Sequence, residues 1–153
     1  MPLSHTVTLT VIPPRPVPTT FGLRTSDGLG FSLSYTSGTY NLYALSGTGT
    51  STIQLTVPAA GGQALYSPSP SYAMWLRVTN AYMGIVTFGT NTVINAYPSQ
   101  FMAVTCKVDP NTLNFNCSAA RGLNRFFQCC TQVYLTANVS PATNCVAIVL
   151  KTV

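Results

Sequence analysis

The segment Phe31-Ser32-Leu33-Ser34-Tyr35 alternates apolar or aromatic side chains with serine, and this alternation recurs along most of the chain. Residues 6–11 and 52–57 repeat it with threonine or glutamine at the polar positions. A period of two is typical of β-strands that bury one face. No window carries a helical period with capping residues at both ends. The sequence therefore predicts an all-β protein. Further predicted strands lie at residues 40–45, 63–67, 73–78, 84–88, 92–97, 104–108, 113–117, 126–130, 132–137 and 145–152.

The predicted architecture is a β-trefoil-like barrel of about twelve short strands, because turn sequences recur at intervals of about 8–12 residues. Two similar segments, Gly30-Phe31-Ser32-Leu33 and Ala73-Met74-Trp75-Leu76, each open a unit of about 40–45 residues. A third unit opens at Gln132-Val133-Tyr134-Leu135. Three units of four strands are the pattern of a trefoil. A β-sandwich is the alternative, since it has the same strand spacing.

A proline-rich segment divides the chain into two parts. Pro13-Pro14-Arg15-Pro16-Val17-Pro18 offers few backbone donors to a sheet and favours an extended conformation. We therefore predict that residues 1–20 form an N-terminal strand and a lead-in or linker. Residues 21–153 are then a single all-β domain, in keeping with a total length of 153 residues.

Acidic residues are almost absent from the chain. Asp27 and Asp109 carry its only side-chain carboxylates, glutamate does not occur, and His5 is the single histidine. Paired general acids and bases, catalytic triads and oxygen-rich metal sites all require more of these groups. Asp109 also opens Asp109-Pro110-Asn111-Thr112, a sequence typical of turns. The sequence therefore predicts a protein that is not an enzyme, with no catalytic residues, no metal and no cofactor.

Charge and hydropathy also exclude two kinds of partner. The seven cations are spread along the chain instead of forming the patch that phosphate backbones require, so we expect no nucleic-acid binding. Apolar residues make up 46% of the chain but never form a run long enough to span a bilayer. We therefore expect no membrane insertion.

The five cysteines lie in the last third of the chain. Cys106 and Cys117 would face each other across a predicted hairpin, where the separation of neighbouring strands suits a disulfide. One of the adjacent residues Cys129 and Cys130 is expected to bond with Cys145, which leaves one free thiol.

Two sequons accompany these cysteines. Asn116-Cys117-Ser118 and Asn138-Val139-Ser140 match the N-glycosylation acceptor pattern. Together with clustered cysteines they indicate an oxidising compartment, so we expect a secreted, extracellular or cell-wall protein. The start, Met1-Pro2-Leu3-Ser4-His5, lacks the features of a signal peptide. We therefore expect a mature fragment or one module of a larger secreted chain.

The cysteine pattern also carries a resemblance to a known family. The cysteine-bearing hairpin, then Phe127-Gln128-Cys129-Cys130, then Cys145 before a Val-rich and Leu-rich final strand, resemble a poorly characterised β-rich domain of secreted ascomycete fungal proteins. The likeness extends over residues 21–153. It implies that Cys130 pairs with Cys145 and that Cys129 is the free thiol. It also implies a cell-surface or cell-wall setting, and it brings no catalytic residues.

Aromatic residues give the main functional hypothesis. Rings on a sheet face can stack on the C–H faces of sugars, although tyrosine and tryptophan also fill β-protein cores. Tyr40 and Tyr43 have opposite parity on one predicted strand, so at least one faces outward. Tyr82 lies in a turn-rich segment, and Trp75 suits either a core or a site. The candidate carbohydrate-binding residues are therefore Tyr40, Tyr43, Trp75 and Tyr82, drawn from a set that also includes Tyr35, Tyr66, Tyr72 and Tyr97.

Three functions follow from these observations. The first is a non-catalytic carbohydrate-binding or cell-wall-binding module, similar to a lectin, with a polysaccharide or other glycan as partner. The second is a structural surface protein that forms homo-oligomers, because low charge removes a barrier to association and exposed strands favour it. The third is a secreted effector that binds another protein through its loops.

Overall fold

The computed structural model describes residues 19–36, 42–47, 53–137 and 144–153. Within these ranges the protein is all-β, as predicted, and its antiparallel strands join in one curled sheet that forms a half-barrel. The strands are β1 (Thr20–Phe21), β2 (Leu23–Thr25), β3 (Phe31–Thr36), β4 (Leu42–Gly47), β5 (Leu55–Thr56), β6 (Leu65–Tyr66), β7 (Ala73–Asn80), β8 (Met83–Gly89), β9 (Phe101–Val108), β10 (Asn114–Ala119), β11 (Arg125–Cys129), β12 (Gln132–Thr136), β13 (Cys145–Ala147) and β14 (Leu150–Thr152). Two short 3₁₀ turns cover Pro98–Gln100 and Ala120–Gly122.

The strand order mixes segments that are distant in sequence. From one edge it runs β13, β11, β12, β4, β8, β7, β9, β10, β14 and β2, and β12 also pairs directly with β8. Strand β3 pairs with β4, whereas β1, β5 and β6 branch from β7. Strands from all three predicted sequence units therefore share one continuous sheet. A trefoil-like barrel of about twelve strands is not confirmed by this pairing.

The core lies on the enclosed face of the curled sheet. Phe31, Phe88 and Phe115 are among its fully buried side chains. The Phe115 ring, on β10, stacks on Phe126 of β11 with 6.1 Å between ring centroids. Strands β10 and β11 lie near opposite ends of the strand order, so this contact joins the two ends of the curled sheet. Phe21 packs on Phe115 from the other side at 5.6 Å.

One predicted strand is a helix. Residues 92–97 were expected to be extended, but the structure has helix α1 (Asn91–Ala96) there, so that prediction is wrong. Ile94 is buried, and Val93 and Tyr97 lie one helical turn apart in the same apolar cluster. This spacing gives a single helical turn one apolar face, which tertiary packing then stabilises. The cluster is completed by Leu42, Trp75 and Phe101.

Some other strands begin or end at residues different from those predicted. Residues 145–152 form two strands, β13 and β14, instead of one. The predicted strand at residues 6–11 lies outside the described residues, as does most of the predicted lead-in 1–20. Thr20, at the end of that lead-in, pairs with Thr56 and so belongs to the sheet.

Candidate functional site

A closed loop between two tyrosines forms one wall of the candidate site. Tyr66 ends β6, and its backbone N–H donates to the Tyr72 carbonyl at 2.9 Å. Within the loop, the Ser69 N–H donates to the Tyr66 carbonyl and the Tyr72 N–H donates to the Ser69 carbonyl, both at 3.0 Å. Pro68 and Pro70 fix two further φ angles. Both tyrosines are therefore held by backbone geometry and not only by side-chain packing.

The facing wall comes from the β3–β4 hairpin. Tyr43 lies directly opposite Tyr35 on β3 and opposite the fully buried Phe88 on β8. Tyr35 is 55% exposed, so the enclosed face of the sheet passes from core to solvent at Tyr43. The Tyr43 ring meets Tyr35 and Tyr72 edge to face, with 5.5 Å between centroids in each pair. Such edge-to-face contacts are a favourable arrangement for aromatic rings.

These walls enclose a cavity of about 350 Å³. Its size falls within the range of small-molecule sites, about 300–1,000 Å³. We call it the tyrosine groove and define it by its lining residues, which are Ser32, Leu33, Tyr43, Ile53, Tyr66, Ser69 and Tyr72.

The groove combines apolar rings with hydroxyl groups. Its lining contains three tyrosines and two serines, and none of the lining residues is charged. Among the described residues, no carboxylate, imidazole or thiol lines the groove, so this lining offers neither a general acid–base pair nor a nucleophile with a base. This chemistry suits an uncharged ligand with alternating apolar and hydroxyl-bearing surfaces.

The structure describes three of the four predicted binding residues and places one of these three in the groove. Tyr43 lines it, whereas Tyr40 lies outside the described residues. Tyr82 is 66% exposed in the turn between β7 and β8. At about 3.3 Å per residue, that turn lies about 20 Å along β8 from Phe88, the neighbour of Tyr43. Tyr82 therefore belongs to another part of the surface.

Trp75 lies on the opposite face of the sheet. Its neighbours on β7, Met74 and Leu76, belong to the main core, so the alternation of side chains turns the indole outward. There it packs in the apolar cluster beneath α1. Its buried indole N–H finds no acceptor among the described residues. The structure thus assigns Trp75 a packing role away from the groove.

Sequence reasoning did not single out Tyr66 and Tyr72 as site residues. They flank Ser67-Pro68-Ser69-Pro70-Ser71, a nearly symmetrical run of turn-forming residues. Two aromatic residues on either side of such a rigid loop are the signal that could have identified them.

The two carboxylates stabilise turns. The Asp109 carboxylate accepts backbone N–H bonds from Asn111 at 2.7 Å and Thr112 at 3.1 Å. These bonds hold the pKa of Asp109 below its ordinary value. The Thr25 hydroxyl donates to Asp27, and this bond is the main reason that the pKa of Asp27 is also lowered. Asp27 is exposed, Asp109 is partly exposed, and neither lines the groove.

A pH dependence of stability follows from these turns. A lowered native pKa means that each carboxylate stabilises the fold fully above its ordinary pKa of 3.8, and that this contribution is lost as pH falls through the native value. We expect the free energy of unfolding to decrease below about pH 4. In a double variant, Asp27→Asn with Asp109→Asn, the free energy of unfolding should decrease less between pH 6 and pH 3 than in the parent protein. Urea unfolding at both pH values measures this difference. The double variant should also keep any binding activity of the parent protein. Loss of that activity in a folded variant would contradict the assignment of both carboxylates to turns.

The disulfides confirm one predicted pair and correct the other. Cys106 and Cys117 are directly opposed on β9 and β10 and are bonded, as predicted. The predicted Cys130–Cys145 bond is wrong, because Cys129 bonds Cys145 and Cys130 is the free thiol. Cys129 lies opposite Cys145 in the β11–β13 register. Cys130 is one residue farther, in the turn after β11 with φ of 56°, so its side chain leaves the register.

Peptide mapping checks this connectivity. Alkylation of the native protein without reduction should label Cys130 alone, since it is exposed and unbonded. Fragmentation of the peptide that contains Cys129, Cys130 and Cys145 should then locate the label. A label on Cys129 instead would restore the pairing predicted from the sequence.

The remaining sequence motifs lie away from the groove. Asn116 and Ser118 of the first sequon are both exposed on β10, between residues that face the core. Asn138 of the second sequon lies outside the described residues. Across the described ranges, no group of three His, Cys, Asp or Glu residues is placed to hold a metal ion. No helix in the described part of the chain is long and apolar enough to cross a bilayer.

Comparison of the chain with protein-family models, with curated proteins and with solved structures found no match.

Proposed function

We propose that this protein is a non-catalytic, secreted carbohydrate-binding module, and that its ligand occupies the tyrosine groove. The observation that carries the proposal is the convergence of Tyr43, Tyr66 and Tyr72 on one cavity of about 350 Å³. Ring faces and edges contact sugar C–H groups, while tyrosine and serine hydroxyls hydrogen-bond sugar hydroxyls.

The setting of the protein supports the same proposal. Two disulfides suit an oxidising compartment, where extracellular glycans are found. The resemblance to a domain of secreted ascomycete proteins favours a cell-wall polysaccharide as ligand. Nucleic acid is not among the proposed partners, because none of the described residues that line the groove is charged.

A binding assay on the purified protein tests the proposal. We expect binding on a glycan array and retention by at least one neutral cell-wall polysaccharide in a pull-down. The variant Tyr82→Ala is a control that should bind as the parent protein does, because it removes an exposed tyrosine outside the groove. If neither assay detects binding by the folded protein, the carbohydrate-binding proposal is wrong.

A second candidate function is self-association, and one edge of the sheet favours it. Strand β13 pairs with β11 on one side and with no other strand in the described ranges. Val146 on β13 is 65% exposed and the nearby Val149 is 47% exposed. An edge with apolar side chains can pair with another copy of the chain. Light scattering over a range of protein concentrations distinguishes this function from glycan binding.

A further inference from the structure

The groove rings Tyr43 and Tyr72, together with Tyr35 beside the groove, form an angular slot and not a flat platform. The planes of Tyr35 and Tyr43 meet at 66°, and those of Tyr43 and Tyr72 meet at 81°. A flat polysaccharide surface requires coplanar, exposed rings that can all contact it at once. Rings set nearly at right angles instead contact a small ligand from more than one side.

One side of the slot lies next to the core. Tyr35 beside the groove is 55% exposed, Tyr43 is half-buried, and Phe88, the strand neighbour of Tyr43, is fully buried. The volume of about 350 Å³ is near the lower limit for ligand sites, about 300 Å³. This space suits the end of a sugar chain and not a long stretch of it.

The lining determines the charge of the ligand. A carboxylate, sulfate or phosphate group taken from water into this slot would lose hydration without gaining a cation, because no lysine or arginine of the described ranges lines the groove. Hydroxyl groups lose less on burial and find partners in the serine and tyrosine hydroxyls. The lining thus favours uncharged sugars over acidic ones.

We infer that the tyrosine groove binds one end of an uncharged, soluble oligosaccharide, and that it binds neither acidic sugars nor the face of a crystalline polysaccharide. This inference rests on the proposed function and specifies its ligand. Ser32 and Ser69 line the groove together with Tyr43, Tyr66 and Tyr72, whose rings form its walls.

Calorimetric titration of the whole protein with oligosaccharides of defined length tests the inference. The probes are neutral gluco-oligosaccharides and chito-oligosaccharides, and oligogalacturonates of matched length. We expect the affinity for at least one neutral series to rise over the first few sugar units and then stay constant. Oligogalacturonates should bind at least tenfold more weakly, and crystalline cellulose and chitin should not retain the protein.

A charge introduced into the groove gives a second, independent readout. Ser69→Lys places a cation in the lining and should strengthen oligogalacturonate binding at least fivefold, because it supplies the missing counter-charge. Ser71→Lys is the matched control, since Ser71 is exposed on the same loop and does not line the groove. The control should bind oligogalacturonate as weakly as the parent protein.

The outcomes separate the inference from the function on which it rests. Equal affinity for neutral and acidic series, affinity that keeps rising with chain length, or retention on crystalline polysaccharide would overturn the inference and leave carbohydrate binding intact. Equal oligogalacturonate affinity of Ser69→Lys and Ser71→Lys would also overturn the inference and leave carbohydrate binding intact. If no carbohydrate of any class binds, the proposed function and the inference fail together.

Discussion

Replacing Tyr72 with alanine is expected to weaken glycan binding about 30-fold, because truncation of a central aromatic anchor costs about 2 kcal/mol of binding free energy. Tyr72 is suited to this test because its ring forms a wall of the groove while its backbone bonds, which hold the loop, do not depend on the side chain. Tyr72→Phe keeps the ring and should retain most of the affinity. Calorimetric titration of both variants gives the comparison.

Two controls make this result specific. Tyr82→Ala should bind as the parent protein does, because Tyr82 lies about 20 Å away along β8. Thermal melting of every variant shows whether loss of binding reflects loss of the fold. If Tyr72→Ala stays folded and binds with unchanged affinity, the ligand does not occupy the groove. Trp75 is a poor test residue, since its indole packs under α1 and its removal would mainly lower stability.

Removal of the Cys106–Cys117 disulfide is expected to cause the largest loss of stability, about 3 kcal/mol for a loop of this length. The bond joins directly opposed residues of β9 and β10 with a sequence separation of 11, and both cysteines are buried. A double variant, Cys106→Ala with Cys117→Ala, would also lose packing in the core. The melting temperature should fall by about 6–12 °C for a domain of this size.

Cys130→Ala provides the matched control for this prediction. It removes an exposed cysteine that forms no disulfide, so its melting temperature should stay within about 1 °C of the parent value. Differential scanning calorimetry of both variants measures the difference. Equal melting temperatures for the double variant and the parent protein would show that the hairpin is stable without its covalent bond.

Local features of the chain were predictable because they depend on neighbouring residues. The period of two in Phe31-Ser32-Leu33-Ser34-Tyr35 predicted strand β3, which the structure confirms. The turn at Asp109 brings β9 and β10 into register, so their cysteines could be paired from the sequence alone. The sequence Asp109-Pro110-Asn111-Thr112 predicted that Asp109 lies in a turn, and the structure confirms it.

Other local features were overridden by packing. Residues 92–97 have a composition compatible with a strand, but contact with Leu42 and Phe101 stabilises α1 instead. Cys129 and Cys130 are adjacent residues of the same type, and they differ only in their position in the strand register. Pairing of β11 with β13 decides between them, because side chains of neighbouring residues point to opposite sides of a strand.

The sequence by itself determined that the protein is all-β and that its strands alternate between buried and exposed faces, since both properties follow from the period of its side chains. The sequence also determined that Cys106 and Cys117 pair across the hairpin whose turn contains Asp109. Only the tertiary structure decided that Tyr43, Tyr66 and Tyr72 line one groove. Tyr43 is distant in sequence from Tyr66 and Tyr72, and the curl of the sheet and the closed loop after β6 bring the three together. Contacts between segments that are distant in sequence depend on the whole fold, and no local pattern encodes them.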